Sequence, residues 1–180
     1  MKASEDLRQE HELIQVALNV LERMASKIQQ KEPIDVNDLK DIVHFLIEFS
    51  DKCHHGKEEI YYFPALEKAG IPNKGGPIGV MLHEHELGRS NIRQMKESIS
   101  GETVDFQAFA NAASSYITLL RNHIQKENNV LFAMGDQRLP EETQRELLDI
   151  FEQHEEKVVG EGAHEKLHEL LGKLEERYLD

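Results

Sequence analysis

The sequence predicts an all-α protein, an antiparallel four-helix bundle with additional C-terminal helices, and three observations predict it. Apolar residues recur at steps of three and four along nearly the whole chain. Prolines, glycines and capping residues fall where those tracks stop, and no segment shows the alternation of period two that a half-buried strand requires. The chain also repeats itself: Glu10-His11-Glu12-Leu13 returns as Glu84-His85-Glu86-Leu87, and His54-x-x-Lys57-Glu58 followed by Phe63 returns as His123-x-x-Lys126-Glu127 followed by Phe132.

The first helix is expected from about Glu5 to Gln30, on the track Ile14, Leu18, Leu21, Ala25 and Ile28; three residues back from Ile14 lies His11, which therefore faces the core. Pro33 ends that helix and Asp35 is placed to cap the second, whose core track reads Val36, Val43, Ile47, Ser50, His54, Glu58, Tyr61 and Ala65. After the turn-rich stretch Ala69 to Pro77, a third helix from about Ile78 to Ser100 carries Ile78, Met81, His85, Gly88, Ile92, Met95 and Ile99 on one face. Thr103 is positioned to cap a fourth, with Phe106, Phe109, Ala113, Tyr116, Leu120, His123, Glu127, Val130 and Met134 inward. Residues 1–134 thus form the bundle. Residues 135–180 form a C-terminal helical extension packed on it, starting at Pro140-Glu-Glu-Thr, broken by Gly160 and Gly162, and part of one domain overall.

Composition excludes several function classes. With 34 acidic against 21 basic residues and a net charge of −13, the chain gains nothing from counterion release on a phosphate backbone or an anionic membrane, so nucleic acid and membrane are not expected partners. No apolar run approaches the roughly 18 to 20 residues of a bilayer span. One cysteine, Cys53, cannot close an intramolecular disulfide, and the N-terminus lacks the apolar stretch of a signal peptide, so a cytoplasmic location is expected.

Six polar groups remain on the apolar tracks: His11, His54, Glu58, His85, His123 and Glu127. Burying imidazoles and carboxylates is costly unless something binds them, and their convergence in one bundle points to a metal centre. The helix-pair repeat gives two half-sites of two histidines and one carboxylate, which suits two metals. Mixed imidazole and carboxylate ligation without thiolate favours iron, with manganese or zinc as substitutes. Within His54-His55-Gly56-Lys57-Glu58-Glu59 the pair His55 and Glu59 has the same spacing as His54 and Glu58. Its track, however, runs through Asn37, Asp41, His44, Glu48 and Asp51, which reads as a solvated face, as does the flank around His83.

The pattern H, HxxxE, H, HxxxE over about Leu7 to Met134, with HHGKEEIYYFPALE and HIQKENNVLF as its two HxxxE segments, resembles the hemerythrin family, also called the HHE cation-binding domain. The resemblance implies a four-helix bundle holding two iron ions, bridged by an oxo or hydroxo group and by both glutamates, with His11, His54, Glu58, His85, His123 and Glu127 as ligands. Oxygen-carrying hemerythrins have a fifth histidine one turn after the third-helix ligand, where this chain has Arg89. Four core histidines would leave each iron an open position, which favours a di-iron oxidoreductase acting on peroxide, dioxygen or nitric oxide, with access near Arg89. A binding or sensing protein for oxygen, iron or nitric oxide, without turnover, is the alternative. An electron-donor protein is a partner of the first reading.

Tyr116, on the same face seven residues before His123, is expected to be a packed aromatic with a hydrogen-bonded hydroxyl, and ligation by it is the alternative. The ligand set is also similar to that of di-iron proteins that repair iron–sulfur centres after nitrosative stress. Those carry a cysteine-bearing N-terminal segment, whereas here the first helix is expected almost at once, which weighs against repair. Cys53 reads as a small core residue, and the Glu-x-x-His spacings ending at His164 and His168 read as packing or solvated positions, because ferritin-like sites draw such motifs from separate helices.

Overall fold

The computed structural model describes residues 1–180, and its only regular structure is helical. Six helices follow one another: α1 (Ala3–Gln29), α2 (residues 36–68), α3 (Pro77–Ser100), α4 (residues 106–138), α5 (Glu141–Val158) and α6 (Ala163–Leu179). Helices α1 to α4 form the bundle. The C-terminal pair lies against one side of it, α5 on α1 and the middle of α2, α6 on α1 and the start of α2. None of these helices is long and apolar enough to cross a membrane.

Local signals account for most boundaries. Asp35 caps α2 by accepting from the Asn37 amide at 2.9 Å, relieving one of the unbonded N–H groups of the first turn. The fourth helix is capped by Asp105, not Thr103: its carboxylate accepts from the Ala108 amide at 3.0 Å, and Thr103 sits two residues too early to reach.

Helices α2 and α4 depart from α geometry. In α2, α-helical turns over Val36–Phe45 give way to π-helical turns over Leu46–His55 and Glu58–Tyr62, before α geometry returns over Phe63–Lys68. In α4 the π segment is Glu127–Leu131. A π turn bonds i to i+5 and takes up an extra residue, so it rotates everything beyond it relative to an α-helical track. That rotation overturns the expected register past each glutamate. Tyr62, Phe63 and Leu66 are buried where Tyr61 and Ala65 were expected; Leu131, Phe132 and Gly135 are buried in place of Val130, which is 52% exposed, and Met134.

The apolar interior is divided in two. One cluster gathers Ile14, Leu18, Leu21, Phe45, Phe49, Ile92, Phe109 and Leu120 with Leu171 and Leu174 of α6. The other joins Leu7, Tyr62, Phe63, Met81 and Phe132 to Leu147 and Phe151 of α5. Along α1 the divide passes between Leu7 and Ile14, along α3 between Met81 and Ile92. His11 and His85 therefore stand in the layer between the clusters.

Candidate metal centre

All six predicted side chains meet in that layer, each with no more than 2% of its surface exposed. Nε2 of His54 lies 3.1 Å from Oε1 of Glu58, and Nε2 of His11 lies 3.2 Å from Oε2 of Glu127 and 3.9 Å from the same Glu58 oxygen. On the other side, Nε2 of His85 is 3.2 Å from Oε2 of Glu58 and 3.6 Å from Oε1 of Glu127, the oxygen that Nε2 of His123 approaches at 2.5 Å. Each carboxylate thus turns one oxygen to the His11/His54 pair and the other to the His85/His123 pair. A cation held by either histidine pair would meet an oxygen of both carboxylates.

The outward ring nitrogens explain why Nε2 faces inward. Nδ1 of His54 is held by Glu10 at 3.1 Å and Nδ1 of His123 by Glu84 at 3.0 Å. Nδ1 of His11 meets Oδ1 of Asn128 at 2.7 Å, and Nδ1 of His85 meets Glu59 at 2.8 Å. An acceptor on Nδ1 fixes the tautomer and presents a lone pair at Nε2, the usual way a protein orients a metal-binding imidazole. This gives the sequence repeat its physical content. The glutamate before each odd-helix histidine orients the histidine of the next helix, and the residue after each HxxxE glutamate orients the odd-helix histidine of the other pair. Lys57 and Lys126 match too, ion-pairing with Glu10 and Glu84.

With Nδ1 donating outward, Nε2 lone pairs point at carboxylate lone pairs. All four oxygens of Glu58 and Glu127, and Nε2 of His54, are buried without a hydrogen-bond partner. Two carboxylates so placed require positive charge between them. The carboxylates make the same demand on the imidazoles: burial opposes charge on His54, but Glu58 and Glu10 outweigh it and hold its pKa up at about 10. Burial likewise opposes charge on His123, which Glu127 and Glu84 hold at about 9. Burial would raise Glu127, yet His123, His11 and His85 keep it well below the ordinary carboxylate range. The donor set, imidazole nitrogen and carboxylate oxygen without sulfur, fits iron, and also manganese or zinc.

Sequence reasoning placed His55 on a solvated face, and the structure overturns this. His55 is 4% exposed, stacks on His85 with ring centroids 3.9 Å apart, and joins Glu58, His85 and His123 in a group whose ligand atoms lie within 4.8 Å of one another; His11, His54, Glu58 and Glu127 form the matching group. The π turns are the reason, since a wider turn brings adjacent residues onto one broad inner face. The layer around Glu58 and Glu127 therefore holds five histidines rather than four.

Arg89, where the oxygen carriers place their fifth histidine, ion-pairs with Asp51 at 2.9 Å, with Glu86 at 2.5 Å and with Glu59, closing this flank with a network instead of opening it. Tyr116 packs against Gly88, but its buried hydroxyl has no hydrogen-bond partner and it joins neither ligand group. His83 is exposed.

Several important residues escaped the sequence reading. Lys57 is fully buried, held by Asp6 at 3.2 Å, Glu10 at 3.0 Å and Glu155 of α5. His154 of α5 donates from Nε2 to the Lys52 carbonyl at 3.1 Å and packs so closely on Gly56 that a Cβ there would lie 2.7 Å from its ring nitrogen. Only the Lys-Glu dipeptide repeated in both HxxxE segments signalled any of this.

Comparison with known proteins agrees with the geometry. The chain matches the family model described as the hemerythrin HHE cation binding domain over residues 2–135. It is similar to the iron-sulfur cluster repair protein YtfE of Dickeya chrysanthemi, 29% identical over 135 residues that cover 68% of this chain and 59% of the relative. With the iron-sulfur cluster repair protein DnrN of Neisseria gonorrhoeae it is 32% identical over 105 residues, covering 52% and 64%. With an uncharacterized protein of Mycobacterium tuberculosis the identity is 23% over 177 residues, covering 96% and 69%. The chain spans less than two-thirds of the length of these two repair proteins. No solved structure matches it significantly.

Proposed function

This chain belongs to the hemerythrin HHE cation-binding domain family, and from that premise we propose that it holds two iron ions at Glu58 and Glu127 and reacts there with peroxide, dioxygen or nitric oxide in stress or in iron and redox metabolism. One observation carries the reading: each of the two buried glutamates divides its oxygens between the two histidine pairs. The names of the repair proteins to which the chain is similar support a stress setting.

His11 and His54 would hold one ion, His85 and His123 the other, and Glu58 and Glu127 would span both. Iron bound there supplies Lewis acidity and one-electron chemistry to a small oxidant or diatomic ligand. The chain does the rest. Glu10, Glu84, Glu59 and Asn128 keep the imidazoles in register, and the two apolar clusters exclude bulk water from the layer. The Arg89 network and the C-terminal pair close two of its flanks.

His55 favours a second reading, binding or sensing without turnover. A third histidine on the His85/His123 side would confine open coordination to the His11/His54 side, an arrangement suited to holding one small ligand.

The test is elemental analysis of protein purified under iron-replete conditions, then optical spectra of the reduced form after addition of peroxide, dioxygen and nitric oxide. Two irons per chain with rapid consumption of peroxide or nitric oxide supports the oxidoreductase. Two irons with a stable, reversible adduct assigns a carrier or sensor. Folded protein without stoichiometric metal overturns both.

A further inference from the structure

Outside the paired glutamates, a second set of ligand-type side chains converges. Sγ of Cys53, a carboxylate oxygen each of Glu10 and Glu155, and a ring nitrogen of His164 all lie within 4.8 Å of one another. They come from four helices, α2, α1, α5 and α6. Cys53 is fully buried beside these polar groups rather than sitting among core aliphatics, and Nε2 of His164 is shielded from solvent with no hydrogen-bond partner. Phe49 and His168 fix the His164 ring, at centroid distances of 5.4 and 4.7 Å.

The charge around this set is unbalanced. Asp6, Glu10 and Glu155 bring three negative charges and Lys57, bonded to all three, returns one. With the His54 ring that bonds Glu10 in its neutral form, two negative charges remain, which a divalent cation would offset. Lys57 need not leave, because a carboxylate oxygen has lone pairs for both an ammonium and a metal. Asp6 and Glu155 also line a surface cavity of about 340 Å³ whose other charged walls are Asp149 and Glu152, an acidic vestibule that draws cations toward the set.

We propose that Glu10, Cys53, Glu155 and His164 form a second, mononuclear site for a borderline divalent cation of the zinc class, pinning the C-terminal helices to the bundle. One sulfur, one nitrogen and two oxygens suit a four-coordinate zinc-type ion, whereas the sulfur-free centre at Glu58 and Glu127 does not select for it. On binding, the Cys53 S–H bond is replaced by an S–metal bond, the proton passes to solvent, and no electrons are exchanged. The assignment does not depend on which metal the paired glutamates hold.

The experiment uses the full-length protein with its iron content measured, titrated with cobalt(II) as the probe. The expected result is one cobalt per chain with thiolate-to-cobalt charge-transfer absorption, displaced by zinc, while iron is retained. His164→Ala should weaken cobalt binding about tenfold or more, and Cys53→Ser should abolish the charge-transfer band, both with iron content unchanged. Absence of the band in the wild type, cobalt binding that is unaltered in His164→Ala, or cobalt taken up only as iron is lost would each overturn the site. Should Cys53→Ser fail to fold, His164→Ala decides, because that side chain is only half-buried on the last helix.

Discussion

Glu58 and Glu127 are carboxylates without a donor in a fully buried layer, a state that persists only if a cation compensates them. Replacing either by alanine should lower metal content and thermal stability together, measured by elemental analysis and thermal unfolding; unchanged metal in both variants would sink the ligand assignment. His55→Ala should keep the metal and shift the optical spectrum of the ligand-bound form, whereas an identical spectrum would return His55 to a packing role. Gly135 lets α4 lie directly on the Tyr62 hydroxyl and Leu66. Gly135→Ala should therefore cost roughly 1–3 kcal/mol of overpacking, read by chemical denaturation. The six predicted residues could be found from sequence because each is a lone polar group on an apolar track. His55 could not, because its α-helical track is polar and only the π turns bring it inward. Lys57 and Glu10 escaped because two opposite charges that bury each other look, one at a time, like solvated residues.

Among the elements, α1 and α3 are regular α-helices, and their inward faces follow from a spacing of three and four. In α4 the spacing holds up to Glu127, where its π segment begins, whereas in α2 π turns already run over Leu46–His55 and resume at Glu58. Hydrophobic spacing carries no mark of such a turn, so the register beyond it was misread by one residue in both. Helix ends were easier, since a side-chain acceptor and the amide it meets are local in sequence. Asp35→Ala removes one such acceptor and should cost about 1 kcal/mol, lowering the melting temperature by about 2–4 °C for a chain of this size. No measurable shift would mean that packing alone sets the start of α2.

For the whole molecule, the C-terminal pair is continuous with the bundle. Leu167, Leu171, Leu174 and Tyr178 complete one apolar cluster, Leu147 and Phe151 the other, and the Tyr178 hydroxyl donates to the buried Asp38 at 2.5 Å. A chain ending at residue 140 should bind a hydrophobic dye and unfold at lower temperature; full-length stability without dye binding would show the pair to be a separable appendage. The two-fold repeat of the bundle is also unequal at the groups that hold Nδ1 of its odd-helix histidines. His11 leans on the neutral amide of Asn128, whereas His85 leans on the carboxylate of Glu59. A carboxylate makes its imidazole a stronger electron donor than an amide does. In the di-iron reading the halves would therefore be electronically unequal, with the stronger imidazole donor on the His85 side. Mössbauer spectra would resolve them as two distinct sites, and Asn128→Asp should draw the two signals together.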